Sequence, residues 1–174
     1  TTPGNGITSK TFSGEITIQN TVRSKPVLEI GQYAFMGCQT LTKVFIFASL
    51  RSIKEYAFHQ CVKLEYINIP KTVTLIANVA LCLNMGDSVV TQYPMTVEFN
   101  PGRTSGLYIG SQGISWRSAF YVIYPSNIAP THSTTYPFHG ATVYVCAPSV
   151  FTFYTKQTTT DQSKCPLPRF NYTE

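Results

Sequence analysis

The apolar residues of this chain recur at a fixed spacing over residues 30–84. Positions one repeat apart carry the same or a similar apolar residue, and the step is 23 residues. The repeated sets are Ile30, Ile53 and Ile76; Ala34, Ala57 and Ala80; Phe35, Phe58 and Leu81; Cys38 and Cys61; Leu41 and Leu64; Val44 and Ile67; Ile46 and Ile69. A fixed period of this size with apolar residues at fixed offsets is the signature of a solenoid. One such repeat cannot bury its own apolar face, so we expect successive repeats to stack.

Each repeat predicts one strand and one turn on the opposite wall. In residues 41–46, valine and isoleucine stand two positions apart, and residues 64–69 repeat the arrangement. Alternating β-branched residues favour a short strand, and stacked copies would pair as a parallel sheet. Residues 33–38 have apolar residues at helical offsets, which predicts a single helical or 3₁₀ turn. Pro70 lacks a backbone donor and marks the end of its strand.

The repeated motif is Ile-x-x-x-Ala-Phe-x-x-Cys-x-x-Leu-x-x-Val/Ile-x-Ile, which starts at Ile30 and again at Ile53. It resembles the BspA-type leucine-rich repeat, with two full copies and one partial copy. The resemblance implies an α/β solenoid, a right-handed leucine-rich-repeat superhelix with a parallel β-sheet on the concave face and short helical or 3₁₀ turns on the convex face. It also implies a secreted or cell-surface protein with a role in adhesion or recognition.

A length of 174 residues suits one domain that can bury its own core, so we expect a single leucine-rich-repeat domain. Its parts are a lead-in segment over residues 1–15, the repeats over residues 16–145, and a C-terminal cap and tail over residues 146–174. Outside the best repeats, strands are predicted at residues 16–18, 97–99, 121–123 and 143–145, with an irregular return at 19–28 and an insertion at 86–88. The residues predicted to point inward are Val44, Ile46, Ile67, Ile69, Val97 and Phe99. Phe35 and Phe58 are predicted to stack in the core.

The composition indicates an exported, β-rich protein. Charged residues make up 12% of the chain and hydrophobic residues 43%, whereas charged residues make up ~25% of an average domain. The net charge is +5, but the basic residues are scattered and form no stripe typical of a nucleic-acid interface. No apolar run reaches the length of a transmembrane helix, so we expect no membrane insertion in this segment.

The five cysteines are an odd number, so at least one thiol is unpaired within the chain. Cys38 and Cys61 share a repeat position. A disulfide or a metal pair is one interpretation, but a ladder of core thiols is the favoured one because free cysteine is among the most buried residues. Cys82 is also expected in the core. Cys146 and Cys165 lie outside this ladder and are candidates for a disulfide that holds the tail.

Catalytic motifs are lacking in the sequence. His59 and Cys61 form a local His/Cys pair, but without a second pair it is a weak zinc signal. The glycine-containing segments at residues 102–106 and 110–113 lack the Gly-Lys-Ser/Thr end of a phosphate loop. No histidine or acidic residue belongs to a recognised catalytic motif. We therefore expect no enzymatic activity, no metal and no cofactor.

Solenoids bind partners through a sheet face, so the outward residues of the strands are the candidate site. Aligning the strands places Thr17, Phe45, Asn68, Glu98, Val122 and Tyr144 in one outward column; Lys43, Tyr66, Thr96 and Phe120 in the preceding one; and Phe47, Asn100 and Tyr124 in the following one. The predicted binding residues are Phe45, Phe47, Tyr66, Asn68, Glu98, Phe120, Tyr124 and Tyr144. Exposed aromatic clusters mark interaction sites. The alternative is that these rings stack on one another and only stabilise the sheet.

Two functions follow from this pattern. The first is a non-enzymatic extracellular module that binds a protein, such as a host or matrix protein, or alternatively a glycan. The second is a structural spacer segment of a larger surface protein. A row of outward aromatic residues favours the first, because a spacer needs no such row. A hydrolase built on a repeat scaffold ranks well below both.

Overall fold

The computed structural model describes residues 12–82, 95–115, 119–124, 128, 130–132, 138–139, 142–146 and 158–159. The strands in this part of the chain are β1 (Ser13–Ile18), β2 (Thr21–Val22), β3 (Lys25–Pro26), β4 (Glu29–Ile30), β5 (Thr40–Ile46), β6 (Ser52–Ile53), β7 (Tyr66–Ile69), β8 (Leu75–Ile76), β9 (Leu81–Cys82), β10 (Met95–Phe99), β11 (Tyr108–Ile109), β12 (Ile114–Ser115), β13 (Ala119–Ile123), β14 (Thr131–His132), β15 (Phe138–His139), β16 (Thr142–Cys146) and β17 (Thr158–Thr159).

Stacked coils with parallel strands make up the fold. A seven-stranded sheet in the order β1-β5-β7-β10-β13-β16-β17, called the long sheet below, forms one wall. The sheet β14-β11-β8-β6-β4 forms a second wall, and β15-β12-β9 forms a third. Strands that pair within each of these walls are parallel and come from successive turns of the chain. The predicted parallel-strand solenoid is therefore confirmed.

The 23-residue period sets the register between coils. Ile30 pairs with Ile53, and Ile53 pairs with Ile76, as the sequence predicts. The next coil is longer, because Ile76 pairs with Ile109 rather than with a residue 23 positions on. This longer step agrees with an insertion in the third repeat, although residues 86–88 themselves lie outside the described residues.

The core lies between the three walls, and its predicted members are confirmed. The inward residues of the long sheet are at most 1% exposed; they are Val44, Ile46, Ile67, Ile69, Val97 and Phe99. The rings of Phe35 and Phe58 stack with centroids 4.9 Å apart and an interplanar angle of 5°. Phe12 extends this row with an edge-on contact to Phe35 at 6.1 Å. Apolar residues one repeat apart thus pack directly against each other, which supplies most of the stabilisation in a solenoid.

The helical or 3₁₀ turn expected on the opposite wall is not confirmed. The described part of the chain contains turns and short strands there, and no helix. Tyr33 and Tyr56 have positive φ values of 61° and 56°, and Val79 and Gln112 adopt the same conformation. Side-chain spacing alone could not reveal this, because a left-handed residue interrupts a helix without changing the apolar pattern. Hydrogen bonds between coils fix the turns, such as the 2.7 Å bond from the Phe35 N–H to the Ala57 carbonyl.

Two further segments differ from the sequence prediction. The return at residues 19–28, expected to be irregular, contains an antiparallel hairpin of β2 and β3. Its two central residues, Arg23 and Ser24, both have positive φ, as in a type I′ turn. At the other end, β17 pairs with β16, so the long sheet continues past residue 145, where the repeats were expected to stop.

Candidate binding face of the long sheet

The outer face of the long sheet is formed by the residues that alternate with the core positions. The register pairs Lys43 with Tyr66, Tyr66 with Thr96, Thr17 with Phe45, and Asn68 with Glu98. Because side chains alternate along a strand, these residues share the face opposite to the core. The predicted binding residues that belong to this face or its edge are Phe45, Phe47, Tyr66, Asn68 and Glu98.

An aromatic group stands at the first coils of this face. The rings of Phe45 and Tyr66 lie 5.4 Å apart at an interplanar angle of 39°. Phe47 follows β5, and its backbone N–H donates a 2.9 Å hydrogen bond to the Ile18 carbonyl. The Phe47 side chain is 53% exposed, Phe45 is half-buried, and Tyr66 is only 1% exposed. Among the described residues of the outer face and its edge, Phe47 at the end of β5 is therefore the most exposed aromatic side chain.

The centre of the outer face is a buried polar cluster. The Tyr66 hydroxyl donates a 2.8 Å hydrogen bond to the Glu98 carboxylate, and Glu98 is 0% exposed. This side-chain hydrogen bond joins β7 to β10. The expectation that Tyr66 and Glu98 face solvent is wrong. Alternation along a strand shows which face a side chain is on, but it does not show whether that face is covered.

Asn68 is also buried, and its side chain forms hydrogen bonds to the backbone of β5 in place of strand-to-strand backbone bonds. Its amide oxygen accepts a 2.6 Å hydrogen bond from the Ile46 N–H, and its amide nitrogen donates a 2.9 Å bond to the Ile46 carbonyl. A further 3.3 Å contact reaches the side-chain oxygen of Asn100. Because Asn carries both a donor and an acceptor, its side chain can satisfy both backbone groups of one residue. The expected solvent exposure of Asn68 is therefore also wrong.

The register of β13 places Val122 and Tyr124, both predicted to face outward, in the core. Val97 pairs with Val122, so Val122 lies on the core side and is fully buried. Tyr124 is a core residue, 1% exposed, and meets the Phe99 ring edge-on at 5.0 Å. Its predicted outward position is wrong. The predicted alignment set Val122 beside Glu98 instead of Val97, and a slip of one residue moves a side chain to the other face.

Two predicted binding residues can be placed only by their backbone register. Phe120 pairs with Met95 rather than with Thr96, and Tyr144 pairs with Tyr121 rather than with Val122. The predicted alignment is therefore wrong by one register position for both residues, because it set Phe120 beside Thr96 and Tyr144 beside Val122. Their role in binding stays a prediction.

Charged and hydroxyl side chains border the aromatic group at the first coil. Lys43 forms an ion pair with Glu15, and the two side chains are 27% and 51% exposed. Thr17, which pairs with Phe45, is exposed. A partly exposed pair of this kind contributes little to stability. The first coils thus present an accessible surface with a hydroxyl group, an ion pair and an aromatic edge.

The cysteines of the repeats are core thiols, as the favoured interpretation predicted. Cys38, Cys61 and Cys82 are buried thiols. Burial raises the pKa of the Cys61 thiol well above its usual range, with a smaller contribution from neighbouring Cys38, and burial also raises the pKa of Cys38. Both thiols therefore stay protonated near neutral pH. Cys165, half of the candidate disulfide with Cys146, lies outside the described residues.

The His/Cys pair of the second repeat is engaged within the coils. The Cys61 thiol donates a 3.0 Å hydrogen bond to the Phe35 carbonyl, and His59 Nδ1 lies 2.9 Å from the Cys82 carbonyl oxygen. Among the described residues, no group of three or more His, Cys, Asp or Glu side chains could hold a metal ion.

Arg103 is a buried cation that the repeat pattern does not reveal. It is 5% exposed, and its guanidinium donates hydrogen bonds to the carbonyls of Val73 and Pro70. Burial lowers its pKa, and the Phe99 ring lies 6.0 Å from the guanidinium carbon. Arg103 thereby joins the loop after β10 to the preceding coil. An arginine directly after the Asn-Pro-Gly turn was the available signal, but its burial follows only from the packing of coils.

Parallel walls built from successive coils, together with the apolar ladders between them, define the protein as a solenoid repeat protein. A family model described as the BspA type leucine rich repeat region (6 copies) matches residues 5–92. The match covers half of the chain, which therefore belongs to this family, and the predicted resemblance is confirmed. No curated protein and no solved structure matches the chain.

Leucine-rich repeats of this kind are protein-interaction or repeat modules, generally surface-associated, and their solenoid is typical of non-enzymatic proteins. The part of the chain that the structure describes has no apolar helix of membrane-spanning length.

Proposed function

We propose that this chain is a non-enzymatic extracellular recognition or adhesion module that binds a protein partner through the outer face of its long sheet. The observation that carries the proposal is the exposed Phe47 next to half-buried Phe45 at the end of β5. Large aromatic side chains are the commonest anchors of protein interfaces. Membership of a repeat family that generally binds proteins supports the same function.

The binding residues then divide into two groups. Phe45 and Phe47 are the proposed contact residues, and Thr17, Lys43 and Glu15 form the polar rim. The buried residues of the outer face keep the strands in place, and a partner would not touch them directly. Such an arrangement of an aromatic centre and a polar rim is common in protein interfaces.

The proposed test uses the double change Phe45→Ser and Phe47→Ser. The intact chain would be immobilised and probed with a panel of purified extracellular matrix proteins by surface plasmon resonance. Each aromatic anchor is expected to contribute ~2 kcal/mol or more to binding, so the double variant should lose detectable binding. Tyr108→Ser is the matched control, because Tyr108 is 43% exposed and belongs to a different wall.

The alternative function is a structural spacer. Burial of Tyr66, Asn68 and Glu98 favours it, because these residues of the outer face contribute to the stability of the sheet. If the double variant binds matrix proteins as well as the unchanged chain does, the proposed face is wrong. If no protein of the panel binds and the double variant melts at a lower temperature, the rings are a packing ladder and the spacer function is supported.

A further inference from the structure

We propose that Tyr33 and Tyr56 form a second binding site, for a neutral saccharide, on the wall formed by the turns at residues 32–37 and 55–60, outside the long sheet. The two residues are one repeat apart, and their rings stack with centroids 5.3 Å apart and an interplanar angle of 22°. Tyr33 is 45% exposed, whereas Tyr56 is half-buried. Tyr56 also meets the buried His59 ring edge-on at 5.4 Å. The stack is thus anchored to the wall at one end and reaches solvent at Tyr33.

The backbone holds the two rings in place before any ligand binds. The Tyr33 N–H donates a 3.2 Å hydrogen bond to the Glu55 carbonyl, directly before Tyr56. Both tyrosines adopt the left-handed conformation, with φ values of 61° and 56°, so each ring leaves the turn from an equivalent backbone geometry. A ligand that stacks on Tyr33 therefore need not order a flexible loop, which lowers the entropic cost of binding.

Amide side chains lie on the turns that carry the two tyrosines and on the next turn along the solenoid. Gln32 directly precedes Tyr33, Gln60 follows Tyr56 within the same turn, and both glutamines are exposed. The Asn78 amide nitrogen lies 3.3 Å from a Glu55 carboxylate oxygen, and its amide oxygen accepts a 2.9 Å bond from the Ser111 N–H. An amide both donates and accepts hydrogen bonds, as a sugar hydroxyl does.

The charges of Lys54 and Glu29 offset each other, because the two groups are 3.3 Å apart. The Glu55 carboxylate accepts a hydrogen bond from the neutral Asn78 amide, so an anionic partner would be disfavoured here. A neutral ring with C–H groups on one face suits the electron-rich face of Tyr33. A pyranose ring with free hydroxyl groups could stack on the Tyr33 ring and form hydrogen bonds with the amide side chains of these turns.

Affinity electrophoresis of the intact chain in gels that contain a neutral polysaccharide tests the site. Hydroxyethylcellulose and galactomannan are the probes, and a gel without polysaccharide is the reference. We expect at least one probe to retard the chain. Tyr33→Ala should weaken that retardation by about five- to tenfold, whereas Tyr33→Phe, which keeps the stacking ring, should largely retain it. Tyr108→Ala is the control, because Tyr108 is an equally exposed tyrosine on another wall.

The result of the polysaccharide experiment does not depend on the proposed protein-binding face. The Phe45→Ser and Phe47→Ser double variant should bind polysaccharide like the unchanged chain. The saccharide site is wrong if neither probe retards the chain, or if Tyr33→Ala and Tyr108→Ala have equal effects. A circular-dichroism melting curve of each variant shows whether it is folded. If Tyr33→Ala does not fold, Tyr33→Leu is tested in its place. Full retention of polysaccharide binding by Tyr33→Leu would overturn the proposal.

Discussion

At the scale of single residues, Phe35 and Phe58 show that the loss of stability on truncating a stacked ring depends on its position in the stack. Phe58 is fully buried between neighbouring coils, whereas Phe35, its equivalent one coil earlier, is only half-buried. Phe58→Ala should lower the free energy of unfolding by ~3–5 kcal/mol, because it leaves a cavity in the core. Phe35→Ala should cost clearly less. Urea unfolding followed by circular dichroism measures both, and equal costs would contradict the assigned packing.

The buried thiols predict a pH dependence of stability. The pKa of Cys61 is raised in the folded chain above its ordinary value of 9.0, mainly by burial. The unfolded chain therefore releases this proton at a lower pH than the folded chain. The contribution of the protonated Cys61 thiol to the free energy of unfolding is complete below about pH 9 and is lost as the pH rises above that value.

Melting temperatures between pH 8 and pH 10.5 test this dependence. The unchanged chain should lose more stability over this range than the Cys61→Ala variant does. The comparison uses the slopes, because removing the thiol group also changes the packing at every pH. Parallel slopes would show that Cys61 titrates alike in the folded and unfolded chains.

At the scale of strands, one side chain extends the junction of β5 and β7 beyond the backbone pairing of Lys43 with Tyr66 and of Val44 with Ile67. Asn68 satisfies both the N–H and the carbonyl of Ile46. Asn68→Ala leaves two buried backbone groups without these partners, so we expect a loss of about 2–4 kcal/mol. Asn100→Ala is the control, because it removes only the longer 3.3 Å contact. The assigned role of Asn68 fails if chemical denaturation finds the two variants equally stable.

At the scale of the whole molecule, stability should vary along the solenoid. Each coil contacts only its neighbours, so interior coils have two partners and a terminal coil has one. β1 stands at one end of the strand order, while β5, β7 and β10 lie inside it. Hydrogen exchange measured by NMR should therefore be fastest in β1 and slower in the interior strands. Uniform exchange over these four strands would indicate a single cooperative unit instead.

The amino-acid sequence by itself determined the repeat, the family and the inward residues. A fixed step between equal apolar residues means that stacked coils must bring those residues into contact, and Phe35 with Phe58 and Ile30 with Ile53 do so. The period therefore predicted the register wherever it is unbroken. The long coil and the step to β13 break it, and there the prediction placed Tyr124 on the wrong face.

Only the tertiary structure decided which outward residues reach solvent and how the turns are built. Alternation along a strand assigns a side chain to a face, but the burial of Tyr66 and Glu98 depends on packing above that face. The left-handed backbone of Tyr33 and Tyr56 is likewise invisible in an apolar pattern that also fits a helix. Their turns are instead tied to the next coil by hydrogen bonds such as those from the Tyr33 N–H to Glu55 and from the Phe58 N–H to Ala80, which a sequence pattern does not show.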